Sequence, residues 1–264
     1  MSEQWLAAGS SPVDWCEDNY TVTGNIAEFT NTLSNILFLI IPTSCLGAKV
    51  WSSYTKHVSL GTYIQLFFLL FIGVSSAYFH ATLSLMGQLL DEVGIIWSLC
   101  LGYASYMPDR IRPNFYKGIK AHVISTLLAI AMTAGWFVAP YLNSFVLMTL
   151  TIPIITIQLQ EITIYRNRDT FKLTVLALIA TILAICAWTA DRAMCGMWKT
   201  MRVPGLHNIW HILIAVGAYL AIMLFSYLKA LDEPAVKASI KFLPRGNWGL
   251  PYVYCKELLS KDIQ

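Results

Sequence analysis

Three histidines and two further polar residues have the types and spacing of a catalytic metal site. His207 and His211 are four residues apart, so a helix places both on one face, as in other helical two-histidine metal sites. Ser76 and His80 share that spacing. Three neutral imidazoles with an open position for water form a catalytic zinc arrangement, which lowers the pKa of the water to about 7. Asp91 is then a candidate general base, and Ser76 a candidate donor to a developing oxyanion.

Each of these residues also has an ordinary structural interpretation. A histidine pair at this spacing is more often structural than metal-binding, and an intramembrane serine usually bonds the carbonyl four residues before it. Asp91 and Glu92 could form a solvated pair at a helix start, where the helix dipole favours negative charge. The metal interpretation therefore depends on whether the surrounding helices bring the five residues to one depth.

The composition shows which elements must position them. The chain has 264 residues, of which 56% are hydrophobic and only 12% charged. A soluble domain carries roughly 25% charged residues, and disorder requires low hydrophobicity, so both classes are excluded. No cluster of Lys and Arg is dense enough for a nucleic-acid surface. A bilayer core needs about 20 apolar residues in a helix, and runs of that length recur along the chain.

The sequence therefore predicts an all-α integral membrane protein with seven transmembrane helices. Seven runs fit: residues 30–48, 58–82, 88–107, 121–139, 142–162, 171–190 and 208–228. Residues 30–230 would form the catalytic domain, preceded by a metal-binding segment at 1–29 and followed by a tail at 231–264.

The distribution of Lys and Arg predicts the orientation. Only Arg192, Lys199 and Arg202 lie on the side that includes the N-terminus, whereas the other 15 of the 18 Lys and Arg residues lie on the opposite side. Because cytosolic loops carry the excess of Lys and Arg, the N-terminus is predicted to be lumenal and the C-terminus cytosolic.

This topology brings the candidate residues to one end of the bundle. His80 lies late in the second span, Asp91 begins the third, and His207 and His211 begin the seventh. All four positions fall near the lumenal face. Ionisable residues inside spans are costly and are functional by default, which favours the metal interpretation.

Two of the six cysteines lie in lumenal segments, where oxidation is permitted. These are Cys16 and Cys195, and we predict a disulfide between them that ties the N-terminal segment to the loop before the seventh span. Two free thiols are the alternative.

The N-terminal segment also carries oxygen ligands of the kind that calcium takes, at Asp14, Glu17, Asn19 and Glu28. Their spacing is not that of an EF-hand, and a solvated acidic segment is the favoured interpretation from these residues alone. Asn19-Tyr20-Thr21 is in addition a glycosylation sequon, which competes with a metal role for Asn19.

Several long motifs resemble the alkaline ceramidase family, and most closely its first two vertebrate paralogues. They are Val13–Tyr20, Ala27–Phe29, Tyr78–Ser84, Gly87–Glu92, Trp188–Arg192, His207–His211 and Gly249–Val253. The resemblance extends over nearly the whole chain, and the motifs are too long and specific to be a chance match.

The resemblance implies a seven-helix amidase of the endoplasmic reticulum or Golgi that hydrolyses ceramide, taken from the bilayer, with water to sphingosine and fatty acid. It implies the following assignments: zinc on His80, His207 and His211; catalytic roles for Ser76 and Asp91; calcium on Asp14, the Trp15 carbonyl, Glu17, Asn19 and Glu28; and a disulfide between Cys16 and Cys195. The calcium assignment replaces the solvated interpretation of the acidic segment.

Two other functions compete with this one. A zinc-containing receptor of the adiponectin-receptor type would use a similar histidine site, but such receptors usually have a cytosolic N-terminus. A transporter or haem protein would place its histidines across the bilayer depth, whereas three of them lie here in one layer with a carboxylate.

Overall fold

The computed structural model describes residues 2–47, 60–234, 236–244 and 249–257, and it is mostly helical. Its helices are α1 (Ser2–Leu6), α2 (Phe29–Ser34), α3 (Ile36–Gly47), α4 (Leu60–Thr82), α5 (Leu85–Tyr106), α6 (Ile119–Val138), α7 (Asn143–Tyr165), α8 (Arg168–Ala193), α9 (Cys195–Thr200) and α10 (His207–Leu231). Two strands follow, β1 (Val236–Leu243) and β2 (Leu250–Glu257), and a short 3₁₀ turn (Pro140–Leu142) precedes α7.

Six of these helices, α4 to α8 and α10, are long and apolar enough to cross a membrane. They correspond to the second through seventh predicted spans, and their ends lie within a few residues of the predicted ones. The first predicted span, 30–48, falls on α2 and α3, which Asn35 separates. Helix α3 contains Pro42 and its described part ends at Gly47, so this span is not among the six. Residues 48, 58 and 59 lie outside the described part of the chain.

Tight links make neighbouring helices antiparallel. The turn between α4 and α5 is closed by Ser84, whose side chain accepts a hydrogen bond from the Gly87 N–H and so caps the start of α5. Asn167 caps α8 in the same way by accepting from the Thr170 N–H. These caps satisfy N–H groups that a helix start otherwise leaves without partners.

Helix α10 is the central helix of the bundle. It packs along α8 and also contacts α2, α3, α4 and the hairpin. Tyr219, Met223 and Leu224 on this helix are almost completely buried. Because α10 is held from several sides, the residues at its first turn have a fixed position relative to the other helices.

The all-α prediction needs one correction, because residues predicted as a tail form an antiparallel β-hairpin. Pro251, Val253 and Cys255 alternate with more exposed residues along β2, which is the pattern of a strand with one buried face. The hairpin packs against the end of α10 at Tyr227 and Ala230. Alternation over so few residues is a weak signal beside long apolar runs, so the sequence pattern did not reveal the hairpin.

Candidate metal centre

The three candidate histidines meet at one end of the bundle. His80 lies near the end of α4, and His207 and His211 occupy the first two turns of α10. All three are buried, their ring centroids lie 4.5–5.0 Å apart, and one ligand atom from each lies within 4.8 Å of the others. Within the described ranges, this is the one group of three or more His, Cys, Asp or Glu side chains whose ligand atoms lie so close together. The cluster could therefore hold a metal ion.

The hydrogen bonds of His80 leave one of its nitrogens available to a metal. Its Nδ1 lies 2.5 Å from Oε2 of the buried Glu28, so a carboxylate accepts the Nδ1–H. Its Nε2 is buried and has no hydrogen-bond partner in the described residues. A carboxylate behind a metal-binding histidine fixes the tautomer and orientation of the ring in many metal sites.

His211 and His207 are held in different ways. The Ser34 hydroxyl donates to the Asn31 carbonyl and lies 2.8 Å from His211 Nδ1, so it accepts from that nitrogen and leaves Nε2 for a ligand. The ring of His207 stacks on Trp15 at 3.5 Å, and its Nδ1 is buried without a partner in the described residues. A buried polar nitrogen without a partner is unfavourable, and a bound metal ion would satisfy it.

Asp191, which the sequence analysis did not select, positions the start of α10. Its buried carboxylate accepts from the backbone N–H groups of Leu206 (2.6 Å), His207 (3.2 Å) and Cys16 (3.3 Å). Gly205 has a φ of +90°, and a Cβ there would collide with this carboxylate. The glycine thus permits the turn that brings the helix start onto Asp191.

The predicted disulfide between Cys16 and Cys195 is present. It joins the N-terminal segment to the start of α9, close to the residues that Asp191 holds. The bond therefore keeps Trp15, the neighbour of Cys16, next to His207.

The predicted catalytic pair faces the same site. Ser76 lies one helical turn before His80, and its hydroxyl interacts with the carboxylate of Asp91 on α5. Both residues line a cavity of about 280 Å³, together with His207 and His211. The cavity continues between the helices as far as Tyr106 and Phe225 and is mostly apolar. A lipid amide with long chains could therefore bring its carbonyl to the histidines while its chains remain among apolar side chains.

The predicted calcium ligands lie in one region, and the four side chains among them already have protein partners. Both oxygens of the buried Glu17 accept N–H groups of the first turn of α2, from Thr30 (2.6 Å) and Asn31 (2.8 Å). Glu28 accepts from the Trp15 N–H (2.9 Å) and from the Asn31 side chain, besides its contact with His80.

The other two side chains of that set are exposed. Asp14 accepts a hydrogen bond from the side chain of Asn19 at 3.1 Å. Burial raises the pKa of Glu28 to about 7, and partial desolvation together with the nearby charge of Glu28 raises the pKa of Asp14. Negative charge in this segment is therefore unfavourable without further donors or a cation.

Three contacts at this site could not be found from spacing. They are those of Glu28 with His80, of Ser34 with His211, and of Asp191 with the start of α10. Each joins residues that are far apart in the chain. For Glu28 and Asp191 the one available signal was a carboxylate next to a predicted span, which is unfavourable unless it has a partner.

Comparison with known proteins gives a consistent result over nearly the whole chain. A sequence model described as Ceramidase matches residues 7–254. The alkaline ceramidase of Drosophila melanogaster is 35% identical over 258 residues, which cover 96% of this chain and 90% of that protein. Alkaline ceramidase 1 of Mus musculus is 34% identical, with 96% and 93% covered, and alkaline ceramidase 3 of the same species is 28% identical, with 89% of each covered.

Proposed function

The chain belongs to the ceramidase family, and from that premise we propose that it hydrolyses the amide bond of ceramide, giving sphingosine and a free fatty acid. The observation that carries the proposal is the buried cluster of His80, His207 and His211, which lies beside Ser76 and Asp91 at the end of an apolar cavity. Ceramide has two apolar chains on either side of one amide, so it fits a mostly apolar cavity with the histidine cluster at one end.

We propose zinc as the metal, because three imidazoles and an open position are the ligand set of catalytic zinc sites. When bound there, zinc would polarise the amide carbonyl and lower the pKa of a bound water. Glu28 and the Ser34 hydroxyl each hold one imidazole by its Nδ1, so that the rings of His80 and His211 keep a fixed orientation.

The roles of Asp91 and Ser76 follow from their position in the cavity. Asp91 takes a proton from the attacking water as the oxygen bonds to the carbonyl carbon, and it then delivers that proton to the nitrogen as the C–N bond breaks. The Ser76 hydroxyl donates to the carbonyl oxygen as negative charge develops on it. The products are a fatty acid and a free amine.

We further propose that calcium binds the N-terminal segment through Asp14, the Trp15 carbonyl, Glu17, Asn19 and Glu28. Side-chain and backbone oxygens are the ligands that calcium takes, and the raised pKa values of Asp14 and Glu28 indicate carboxylates that a cation would stabilise. Glu28 also contacts His80, so a calcium ion there would act on the order of the histidine site and would have no part in the chemistry.

The proposed setting is a membrane of the endoplasmic reticulum or Golgi, with seven spans, a lumenal N-terminus and a cytosolic C-terminus. Six helices of spanning length support a multi-pass membrane protein, the uneven distribution of Lys and Arg supports the orientation, and the organelle follows from the family resemblance. In this orientation, the site opens toward the lumenal leaflet and takes ceramide from the bilayer.

The test is hydrolysis of ceramide by the purified protein, with the metal content measured by mass spectrometry. We expect about one zinc per chain and release of sphingosine, and His211→Ala should lose both together. His122→Ala is the matched control, because His122 lies on α6, away from the cluster. Zinc without turnover of any ceramide would contradict the proposed reaction and favour a receptor, and active protein without zinc would contradict the metal role.

A further inference from the structure

The cavity wall contains a second, half-buried carboxylate, Glu92, next to Asp91 on α5. Three side-chain N–H groups point at it: Gln88 donates to Oε1 at 3.0 Å, and Trp136 and Asn143 donate to Oε2 at 2.6 and 2.7 Å. A carboxylate that is partly removed from water is unfavourable unless donors satisfy it, and three donors stabilise its charged form. Glu92 is therefore held as a hydrogen-bond acceptor.

Glu92 retains acceptor capacity, and it is one of the residues that line the cavity. A carboxylate offers about four lone-pair positions, and the donors on the protein occupy three. The ion pairs found in the described residues do not include Glu92, and the charge of Arg192, which also lines the cavity, acts on it from beyond ion-pairing distance. Glu92 and Asn143 line the cavity together with Asp91 and Ser76.

From this position we infer that Glu92 accepts a hydrogen bond from a hydroxyl group of the sphingoid part of the substrate. The inference rests on the proposed function. The two hydroxyl groups of ceramide are on carbons next to the one that bears the amide nitrogen, so they lie close to the amide when it reaches Asp91 and Ser76. A hydroxyl group is a donor, and Glu92 presents an acceptor at that place. Glu92 thus determines specificity for a hydroxylated amine over a plain alkyl amine.

A purely structural role for Glu92 makes a different prediction. Through Trp136 and Asn143 the carboxylate also holds the turn between α6 and α7. Loss of that anchor would disturb the cavity for every substrate alike. Trp136 is buried and is not among the cavity-lining residues, so Trp136→Phe removes one bond of the anchor without changing a surface that touches substrate.

The experiment compares kcat/KM for ceramide with kcat/KM for an analogue in which both hydroxyl groups are replaced by hydrogen. Glu92→Gln should lower kcat/KM for ceramide by about 10- to 100-fold, the range of one hydrogen bond to a charged group, and leave the analogue unchanged. Glu92→Asp retains the carboxylate, so its kcat/KM should fall by a smaller factor, and again only for ceramide. Trp136→Phe should change kcat/KM for both substrates by the same factor.

An equal loss for both substrates in the Gln and Asp variants, or no loss in either, would overturn the inference. Where Glu92→Gln does not reach the membrane, Glu92→Asp decides by the same ratio of the two substrates. Failure of the proposed function is a separate result, because the parental protein would then hydrolyse neither substrate.

Discussion

Two regions of this protein carry residues of the types that bind metal ions. The regions differ in the hydrogen bonds that these residues already make within the protein. In the histidine cluster, Nε2 of His80 and Nδ1 of His207 are buried without hydrogen-bond partners in the described residues. In the acidic N-terminal segment, both oxygens of Glu17 accept backbone N–H groups, and Glu28 also has donors. A group of buried ligands without partners is the stronger sign of a metal, because the protein alone leaves its polar atoms unsatisfied.

Glu28 belongs to both regions, so changing it should have the largest effect. Glu28→Gln removes the charged acceptor of the His80 Nδ1–H and weakens the contacts with the Trp15 N–H and Asn31. Loss of such a partner behind a metal ligand typically lowers metal affinity or activity by about 10- to 100-fold. We expect a loss of that size in a zinc titration of the purified protein and in sphingosine release.

Asp18→Asn is the matched control for Glu28→Gln. Asp18 is an exposed carboxylate of the same segment, and its side chain pairs with Lys199 at 2.9 Å. Full zinc affinity in Glu28→Gln would mean that the two regions are independent and that the acidic segment does not support the histidine cluster.

A change of Glu17 should have an intermediate effect, and it should lower the stability of the fold instead of the metal affinity. Its carboxylate bonds the N–H groups of Thr30 and Asn31, which α2 leaves free at its first turn. Glu17→Gln leaves one oxygen for two donors, so we expect a loss of about 1–2 kcal/mol, as for other helix caps. Thermal unfolding measures this as a lower midpoint.

The measurement on Glu17→Gln should be repeated with a calcium chelator present. The cap bonds do not require an ion, so the variant should still unfold below the parental protein under those conditions. Equal midpoints in the chelator would show that Glu17 stabilises the fold only through a bound cation.

The two regions also differ in how far the sequence could predict them. The histidine cluster could be predicted from helix periodicity and from the alternating direction of successive spans. Both follow from the local pattern of apolar residues. The structure brings Ser76, His80, Asp91, His207 and His211 together at one site, as those properties predicted. The disulfide could be predicted from the compartment of each cysteine, because only two cysteines lay on the predicted lumenal side.

The contacts that hold the site could not be predicted in that way. Glu28 and His80 are 52 residues apart, and their contact depends on how the N-terminal segment crosses the ends of α4 and α10. No period in the sequence encodes that path. The hairpin was missed for a similar reason, since its strands are stabilised by packing on α10 as well as by their own alternation.

Asp14 should have the smallest effect, and it tests whether the acidic segment acts through calcium alone. Asp14 is exposed; its carboxylate accepts from Asn19 and interacts with Glu28, and within the described residues it has no direct contact with a histidine. Asp14→Ala should therefore raise the calcium concentration needed for half-maximal hydrolysis and leave the zinc content at the parental value. Activity measured across a calcium titration, with zinc determined on the same samples, separates the two. Loss of zinc in this variant would mean that even the exposed part of the segment supports the histidine cluster, so that the two regions form one site.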